Sequence, residues 1–418
     1  MAQLKDDCFA HADELTPLET ALDELETTLQ PVVGIEKVSL NEALSRILAE
    51  DVTSDRDVPP HDNSAVDGYA VFYDDLSPDA DTRLPLGGRI AAGHPLGHDT
   101  KRGEAYRIFT GAPMPDGPDT VFMQEDVRLE GEAIILPAGI KQGANRRFRA
   151  EDVESGSVIL VRGKRLRPQE IGLAASVGRS ELSVYKRLRV AVFSTGDEVR
   201  DPSDDAPAGC IYDANRFTVM GLLGRLECEV TDLGILQDDE ATIAGALKEA
   251  AQDHDLLFTS GGVSVGDEDH IKPAVESLGS LHFWRLAIKP GRPIAFGQVA
   301  GTAFVGLPGN PVAAMVTFMR IARTMVLRLS GATDLRPPLY KVPAAFNFKA
   351  KGERREWLRA RLEKDENGVN CAHLYPAGGS GVLTSMVASD GLVEVGEHLN
   401  QIEEGDLVDF LPFSEMCP

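Results

Sequence analysis

Three carboxylates, Asp267, Glu268 and Asp269, close the run Thr259-Ser260-Gly261-Gly262-Val263-Ser264-Val265-Gly266, which follows the apolar stretch 255–258. Glycines at 261, 262 and 266 allow a tight turn that exposes backbone N–H groups, and such a turn can cradle an anion. Carboxylates at the mouth of the next helix can hold a hard divalent metal. A second anion seat is Gly306-Leu307-Pro308-Gly309-Asn310-Pro311. Asn310 suits an N-cap and Pro311 the first helical position, so a helix opens there with free N–H groups. Ala287-Ile288-Lys289-Pro290-Gly291-Arg292-Pro293 sets two cations about a turn, with Lys289 the candidate for holding an oxyanion. Ser194-Thr195-Gly196-Asp197-Glu198 ends another apolar strand where a phosphate-binding turn would lie. Asp213 and Asp238 each precede a helical stretch, where capping and ligand-binding readings both stand.

The loop from His61 to Tyr69 is dense in small polar groups, and Thr110-Gly111-Ala112-Pro113-Met114-Pro115 with Glu125 repeats that character. An Asx-turn accounts for Asp62 and Asn63, but not for Asp67, Thr110 and Glu125 together. No His-x-His, Cys-x-x-Cys or His-Glu-x-x-His spacing occurs, which leaves oxygen ligands and an ion such as Mg²⁺. Neither a Gly-x-Gly-x-x-Gly fingerprint nor a Gly-x-x-x-x-Gly-Lys-Ser/Thr loop is present, so ordinary NAD binding and P-loop hydrolysis find little support.

The elements that must position these residues follow from apolar spacing. Residues 12–50 have mostly helical spacing, through Leu15, Leu18, Leu22 and Leu25, then Leu40, Ala43, Leu44 and Ile47. Residues 60–150 are Gly/Pro-rich with short strand-like pieces at 69–72, 105–109, 120–123 and 133–136. Pro168 opens a helix. From 188, strand candidates at 188–193, 228–236, 256–259, 281–288, 293–297 and 302–306 alternate with helices at 214–227, from Asp238, at 269–278 and from Pro311. That alternation specifies a mostly parallel sheet covered on both faces, with ligands beyond the carboxyl ends of its strands. Short alternating strands return over 334–418.

A chain of 418 residues exceeds one hydrophobic core. Its 43% hydrophobic and 26% charged residues suit a soluble protein. The longest apolar run, 315–329, is interrupted by Arg320, Arg323 and Arg328, so no membrane span is expected. The first thirty residues carry eight acids and one Lys, unlike a signal peptide. Five Cys without ligand spacing fit a reducing compartment, the cytoplasm. A net charge of −24 disfavours nucleic acid and anionic membranes, and an anionic substrate needs local cations or a metal. Lys and Arg group at 146–149, at Arg285 with Lys289 and Arg292, and over 349–361.

Eight pieces in order resemble the molybdopterin molybdenumtransferase family, MoeA, whose relatives include the C-terminal domain of gephyrin. They are the stretches 62–70, 110–115, 194–198, 211–215, 259–266, 289–293, 306–311 and Pro376-Ala377-Gly378-Gly379-Ser380-Gly381. The resemblance implies an α/β multidomain fold. A central, mostly parallel α/β/α molybdopterin-binding domain (188–333) would be flanked by a segmented, mixed helical linker domain (12–56 with 153–187). A β-rich domain (57–152) and a C-terminal β domain (334–418) would complete it. It also implies a homodimer whose active cleft is shared between the α/β domain of one subunit and the β domain of the other. The implied reaction inserts molybdate into adenylylated molybdopterin and releases AMP with Mg²⁺.

By the same resemblance Asp67, Thr110, Asp152, Asp238, Asp269 and Lys289 are catalytic, and Asp238 and Asp269 carry the metal. Ser194, Thr195, Gly196, Asp213, Ser260, Gly261, Gly262, Ser264, Gly266, Arg285, Pro308, Gly309, Asn310, Pro311 and Ser380 bind the cofactor. Arg285 stands where the family often has Lys, trading a compact charge for a planar fork. The implied partners are small anionic substrates and, transiently, the molybdopterin adenylyltransferase. Adenylylation of molybdopterin is the rival activity, but that enzyme resembles the α/β portion alone. A gephyrin-like scaffold is the non-enzymatic alternative.

Overall fold

A computed structural model describes residues 15–262, 270–291 and 293–416. Along the strand Arg189–Thr195, Val190 and Val192 face one way and Ala191 and Phe193 the other, all four buried. A strand covered on both faces must read this way, because its side chains alternate with period two. Its sheet runs in the order Glu229–Leu236, Arg189–Thr195, Leu256–Ser260, Thr302–Leu307, Pro293–Val299, Gly279–Arg285. The first four strands are mutually parallel and the pairings of Pro293–Val299 are antiparallel. Helix Asn215–Arg225 and the helical run from Pro311 bury one face with Val190, Val192, Phe258 and Leu307. Helices Glu240–Asp253 and Ile271–Leu278 bury the other with Ala191, Phe193, Leu257 and Phe304.

The chain leaves Arg189–Thr195 to pair on one side with Glu229–Leu236, then returns to pair on the other side with Leu256–Ser260. This reversal leaves a crevice beyond the carboxyl ends of the strands, where ligands of open α/β sheets bind.

The described residues form two other six-stranded sheets. The first runs Thr120–Met123, Gly68–Val71, Ala105–Ile108, Thr82–Ile90, Ala133–Leu136, Arg128–Glu130. The other runs Ile288–Lys289, Arg355–Lys364, Gly391–Val395, Leu407–Pro412, Tyr340–Pro343, with Asn370–Leu374 paired to Arg355–Lys364. Near the amino terminus, Ile35–Ser39 pairs with Glu181–Tyr185 and Val52–Thr53 with Val158–Leu160. Helix Pro168–Ser176 opens with Pro168 at its first turn, as expected. No helix among the described residues is long and apolar enough to cross a membrane.

Three local expectations need correction. The amino-terminal helix covers only Leu18–Thr28, burying Leu18, Ala21, Leu22 and Leu25. Residues 40–47 are turns instead: Ser45 sits at φ 63°, and the amides of Ala43, Ser45 and Arg46 bond to Leu40, Leu166 and Ala43 carbonyls. Apolar spacing there reflects burial of Ala43 and Ile47 without a helix. The run 281–288 divides, since Gly279–Arg285 stays in the α/β sheet while Ile288–Lys289 joins the carboxyl-terminal one. The helix expected from Asp238 begins at Glu240.

Candidate active site

Two connected hollows lie along the carboxyl edge of the parallel strands. The smaller, about 420 Å³, is lined by Ser194, Thr195, Gly196, Asp213, Asp238, Ser260 and Pro311, among others. The larger, about 800 Å³, opens between this edge and the carboxyl-terminal sheet, against Lys289, Pro308, Asn310, Glu356, Arg359 and Ser380. Glu198, Gly261, Gly262 and Gly309 line both, so they form one crevice. Fourteen residues named from sequence therefore meet here: Ser194, Thr195, Gly196, Asp213, Asp238, Ser260, Gly261, Gly262, Lys289, Pro308, Gly309, Asn310, Pro311 and Ser380.

The glycine loop is tightly folded. Gly261 and Gly262 have φ of 91° and 63°, and a Cβ on Gly262 would stand 2.5 Å from Ile271 Cδ1 and 2.8 Å from Thr195 Oγ1. Only glycine fits that turn. The Ser194 hydroxyl is buried in the crevice wall with no hydrogen-bond partner among the described residues. A buried, unpaired hydroxyl is costly and is what a ligand oxygen would satisfy.

The acidic end centres on Asp238. The helix cap expected of it falls to Asp239, whose carboxylate accepts from Thr242 N–H at 3.0 Å. Asp238 has no such bond among the described residues and faces the smaller hollow. Burial pushes its carboxyl above the ordinary value; His270 opposes this, and Asp197, Glu198 and Asp239 add to it. A carboxylate crowded by others suits a cation. The described residues contain no complete group of three metal-ligating side chains. Asp269, Ser264 and Gly266, with Asp267, Glu268 and Arg292, lie outside the described residues.

Asp213 borders the same hollow, with its carboxylate on Arg216: 3.1 Å from its N–H and 3.0 Å from Nε. Arg216 also pairs with Asp232 and, at 2.5 Å, with Asp201. Burial opposes its charge, but these three carboxylates prevail and raise its pKa. Arg216 thus fixes the wall that carries Asp213 and Ile211-Tyr212 against the sheet. Both Arg216 and Asp213 are only 3% exposed at their side chains. Arg216→Met should cost about 3–5 kcal/mol in urea unfolding, because it leaves Asp213 buried without a counter-charge. Adding Asp213→Asn should recover much of that loss, and a single-variant cost under about 1 kcal/mol would refute the clamp.

The cationic end departs from expectation. Lys289 Nζ is 2.8 Å from Glu356, a carboxylate 3% exposed on the neighbouring sheet. Arg359 is buried and its pKa lowered by desolvation. Its Nε donates to Ser385 Oγ at 3.1 Å, and its Nη2 to the Ala377 and Gly379 carbonyls at 3.3 and 3.2 Å. It therefore braces the loop presenting Ser380. The helix opening at Pro311 is not the free anion seat expected. The Asn310 side chain makes no capping bond, and Val312 N–H donates to the Ser380 carbonyl at 3.0 Å. The carboxyl-terminal loop reaches over the helix start and takes that donor.

Four named residues lie apart from this crevice. Asp67 accepts from Thr110 N–H at 2.8 Å and from Thr110 Oγ1 at 2.7 Å. The Thr110 backbone and side-chain bonds hold the Asp67 carboxyl below its usual range. Asp152 is exposed, with its N–H bonded to the Val58 carbonyl. Arg285 is exposed at the end of Gly279–Arg285 and does not line either hollow. Sequence reasoning missed Glu356, Trp357 and Arg359 as crevice residues. Their only signal was the basic stretch 349–361, whose charged residues give no period-two pattern: Glu356 and Arg359, three apart, fall on opposite faces of Arg355–Lys364.

Comparison with known proteins gives three consecutive family matches. The MoeA N-terminal region (domain I and II) matches residues 16–178, a probable molybdopterin binding domain 191–328, and the MoeA C-terminal region (domain IV) 341–413. A molybdopterin molybdenumtransferase of Haemophilus influenzae is 39% identical over 383 residues, 91% of this chain and 94% of the relative. One from a Nostoc species is 35% identical over 78% of this chain and 77% of its own. The crystal structure of a molybdopterin biosynthesis moeA protein from Pyrococcus horikoshii OT3 matches with a TM-score of 0.81 at 29% identity, covering 96% of this chain and 100% of that one.

Proposed function

The chain belongs to the MoeA family of molybdopterin molybdenumtransferases, and from that premise we propose that it inserts molybdate into adenylylated molybdopterin and releases AMP. The observation that carries this reading is the single crevice with a carboxylate end at Asp238 and a cationic end lined by Lys289, Arg354 and Arg359. Breaking a phosphoanhydride requires fixed positive charge where negative charge develops. Lys289 and Arg354 supply it from the crevice wall, and Ser194 Oγ offers an unspent hydrogen bond. Glu356 holds the Lys289 ammonium in place until an oxyanion competes for it. Arg359 acts by orienting the Gly378–Ser380 loop.

Asp238, without a hydrogen bond or ion pair among the described residues and crowded by Asp197 and Glu198, fits Mg²⁺, and Asp269 would be its second ligand. When bound, the ion would neutralise charge on the phosphate oxygens. In this reading two chains form a homodimer, and Asp67 with Thr110 completes the crevice of the partner. The molecule works in the cytoplasm on small anionic substrates. The four-part division at 12–56 with 153–187, 57–152, 188–333 and 334–418 serves that arrangement.

The direct test supplies purified protein with adenylylated molybdopterin and follows AMP. Release should require molybdate, and Lys289→Ala should raise the molybdate concentration needed by about tenfold or more, the loss of one charge-assisted contact. AMP formation that ignores molybdate, or formation of the adenylylated compound from ATP, would exclude the assignment.

A further inference from the structure

We propose that Arg89 and Arg107, gathered on the ring of Phe109, form a second oxyanion-recognition element, which takes the phosphate of the nucleotide-bearing substrate. It lies on the sheet of residues 57–152, outside the crevice of its own chain and beside the Asp67–Thr110 pair that, in the reading above, completes the crevice of the partner. The proposal rests on the reading of the substrate as an adenylylated compound.

The two arginines are register partners on adjacent parallel strands. Like charges directly opposite one another destabilise a sheet. Something must offset that cost. Part of the answer is aromatic: the guanidinium carbons of Arg89 and Arg107 lie 4.6 and 4.7 Å from the centre of the Phe109 ring, and that of Arg107 lies 5.0 Å from the centre of Tyr69. Such contacts hold a guanidinium in place without neutralising it. Among the described residues no carboxylate forms an ion pair with either guanidinium, although Arg107 feels Asp67 through space. Arg107 donates only to neutral acceptors, the Gly68 carbonyl at 3.4 Å and Gln124 Oε1 at 2.5 Å. Arg89 is exposed and makes no ion pair among the described residues. In a chain with 66 acidic residues against 42 basic ones, two ordered forks side by side with no ion pair among the described residues are unexpected for a bland surface.

Position supports a ligand. Phe109 immediately precedes Thr110, whose N–H and hydroxyl both bond to Asp67. Arg107 acts on Asp67 through space, a smaller effect than the Thr110 bonds. The element therefore abuts the polar pair that sequence singled out, and its side-chain chemistry is complementary to that pair. Asp67 takes both Thr110 bonds on its Oδ1 and repels anions, while the guanidinium forks match phosphate oxygens two at a time. Phosphate and molybdate share this tetrahedral oxyanion chemistry, so the ligand must be separated by experiment.

Arg89→Gln and Arg89→Lys test it in the full-length protein, since the Arg89 side chain makes no hydrogen bond to a neighbour among the described residues. Binding of AMP and of molybdate would each be measured by calorimetry, and the kinetics of AMP release would be followed in parallel. Arg89→Gln should weaken AMP about tenfold and raise the KM for the adenylylated substrate similarly, with kcat and molybdate affinity unchanged. Arg89→Lys should recover part of the loss, and added salt should narrow the gap between wild type and Arg89→Gln. Unchanged AMP affinity in Arg89→Gln, or a loss confined to molybdate, overturns the proposal. Absence of molybdate-dependent AMP release by the wild type would instead defeat the functional reading, whatever Arg89→Gln does to AMP binding.

Discussion

Asp238→Asn should lower molybdate-dependent AMP release by about 10²–10³-fold, since a metal's charge stabilisation is worth several kcal/mol and each 1.36 kcal/mol is tenfold. Folding should survive, because Asp239, not Asp238, caps the helix Glu240–Asp253. The substitution also has a signature in stability. Burial, reinforced by Asp197, Glu198 and Asp239 against His270, lifts the Asp238 carboxyl above its ordinary 3.8. The folded chain therefore binds this proton more tightly than the unfolded chain does. Its contribution favours the fold below the ordinary value and is lost as pH rises through the raised one. In chelator, the wild type should lose more stability across that window than Asp238→Asn. Mg²⁺ should restore the wild type and leave the variant little changed. Full turnover by the variant, or an equal response of both proteins to Mg²⁺ in thermal unfolding, would remove Asp238 from the metal site.

Mixing two inactive variants should create activity. If Asp67 from one subunit completes the crevice holding Asp238 of its neighbour, Asp67→Ala and Asp238→Asn homodimers are both poor enzymes. Random exchange makes half of the dimers mixed, and in each mixed dimer one site carries both lesions and the other neither. Activity should climb toward roughly a quarter of the wild-type value, as two-fold geometry requires when each subunit gives and receives the same surface. No line of the crevice is drawn from residues 57–152 of the same chain, which is the motive for the experiment. A monomeric mass, or no recovery after exchange is proven by mass spectrometry, would leave Asp67 and Thr110 as a turn within one chain.

Much of the α/β portion was legible because its strands are buried on both faces. Leu256-Leu257-Phe258 and Val190-Ala191-Val192-Phe193 can be little else, and the loops after them fall at the carboxyl edge by topology alone. The glycine positions were legible for a similar reason, since the turn at Gly262 has no room for a side chain. What sequence could not supply were relations between distant segments. Glu356 gives no local hint that it will meet Lys289, 67 residues earlier. Nor does Val312 announce that the Ser380 carbonyl will take its N–H. The helical reading of 40–47 failed on Ser45, whose left-handed backbone is invisible to apolar spacing. Asp238 and Asp239 are adjacent acids before one helix, and only geometry decides which one caps it.

The two-residue strand Ile288–Lys289 lends itself to the edge of the carboxyl-terminal sheet, where Arg355 N–H bonds to the Ala287 carbonyl at 2.8 Å and Lys289 grips Glu356. Ile288, Lys289, Glu356 and Trp357 are also the floor of the larger hollow. A hinge that swung the carboxyl-terminal sheet away would have to tear this seam first, together with the bond from Val312 to Ser380. Widening the crevice by rotating that sheet would therefore cost these bonds, which favours entry of substrate into the crevice as it stands over closure of two bodies around it.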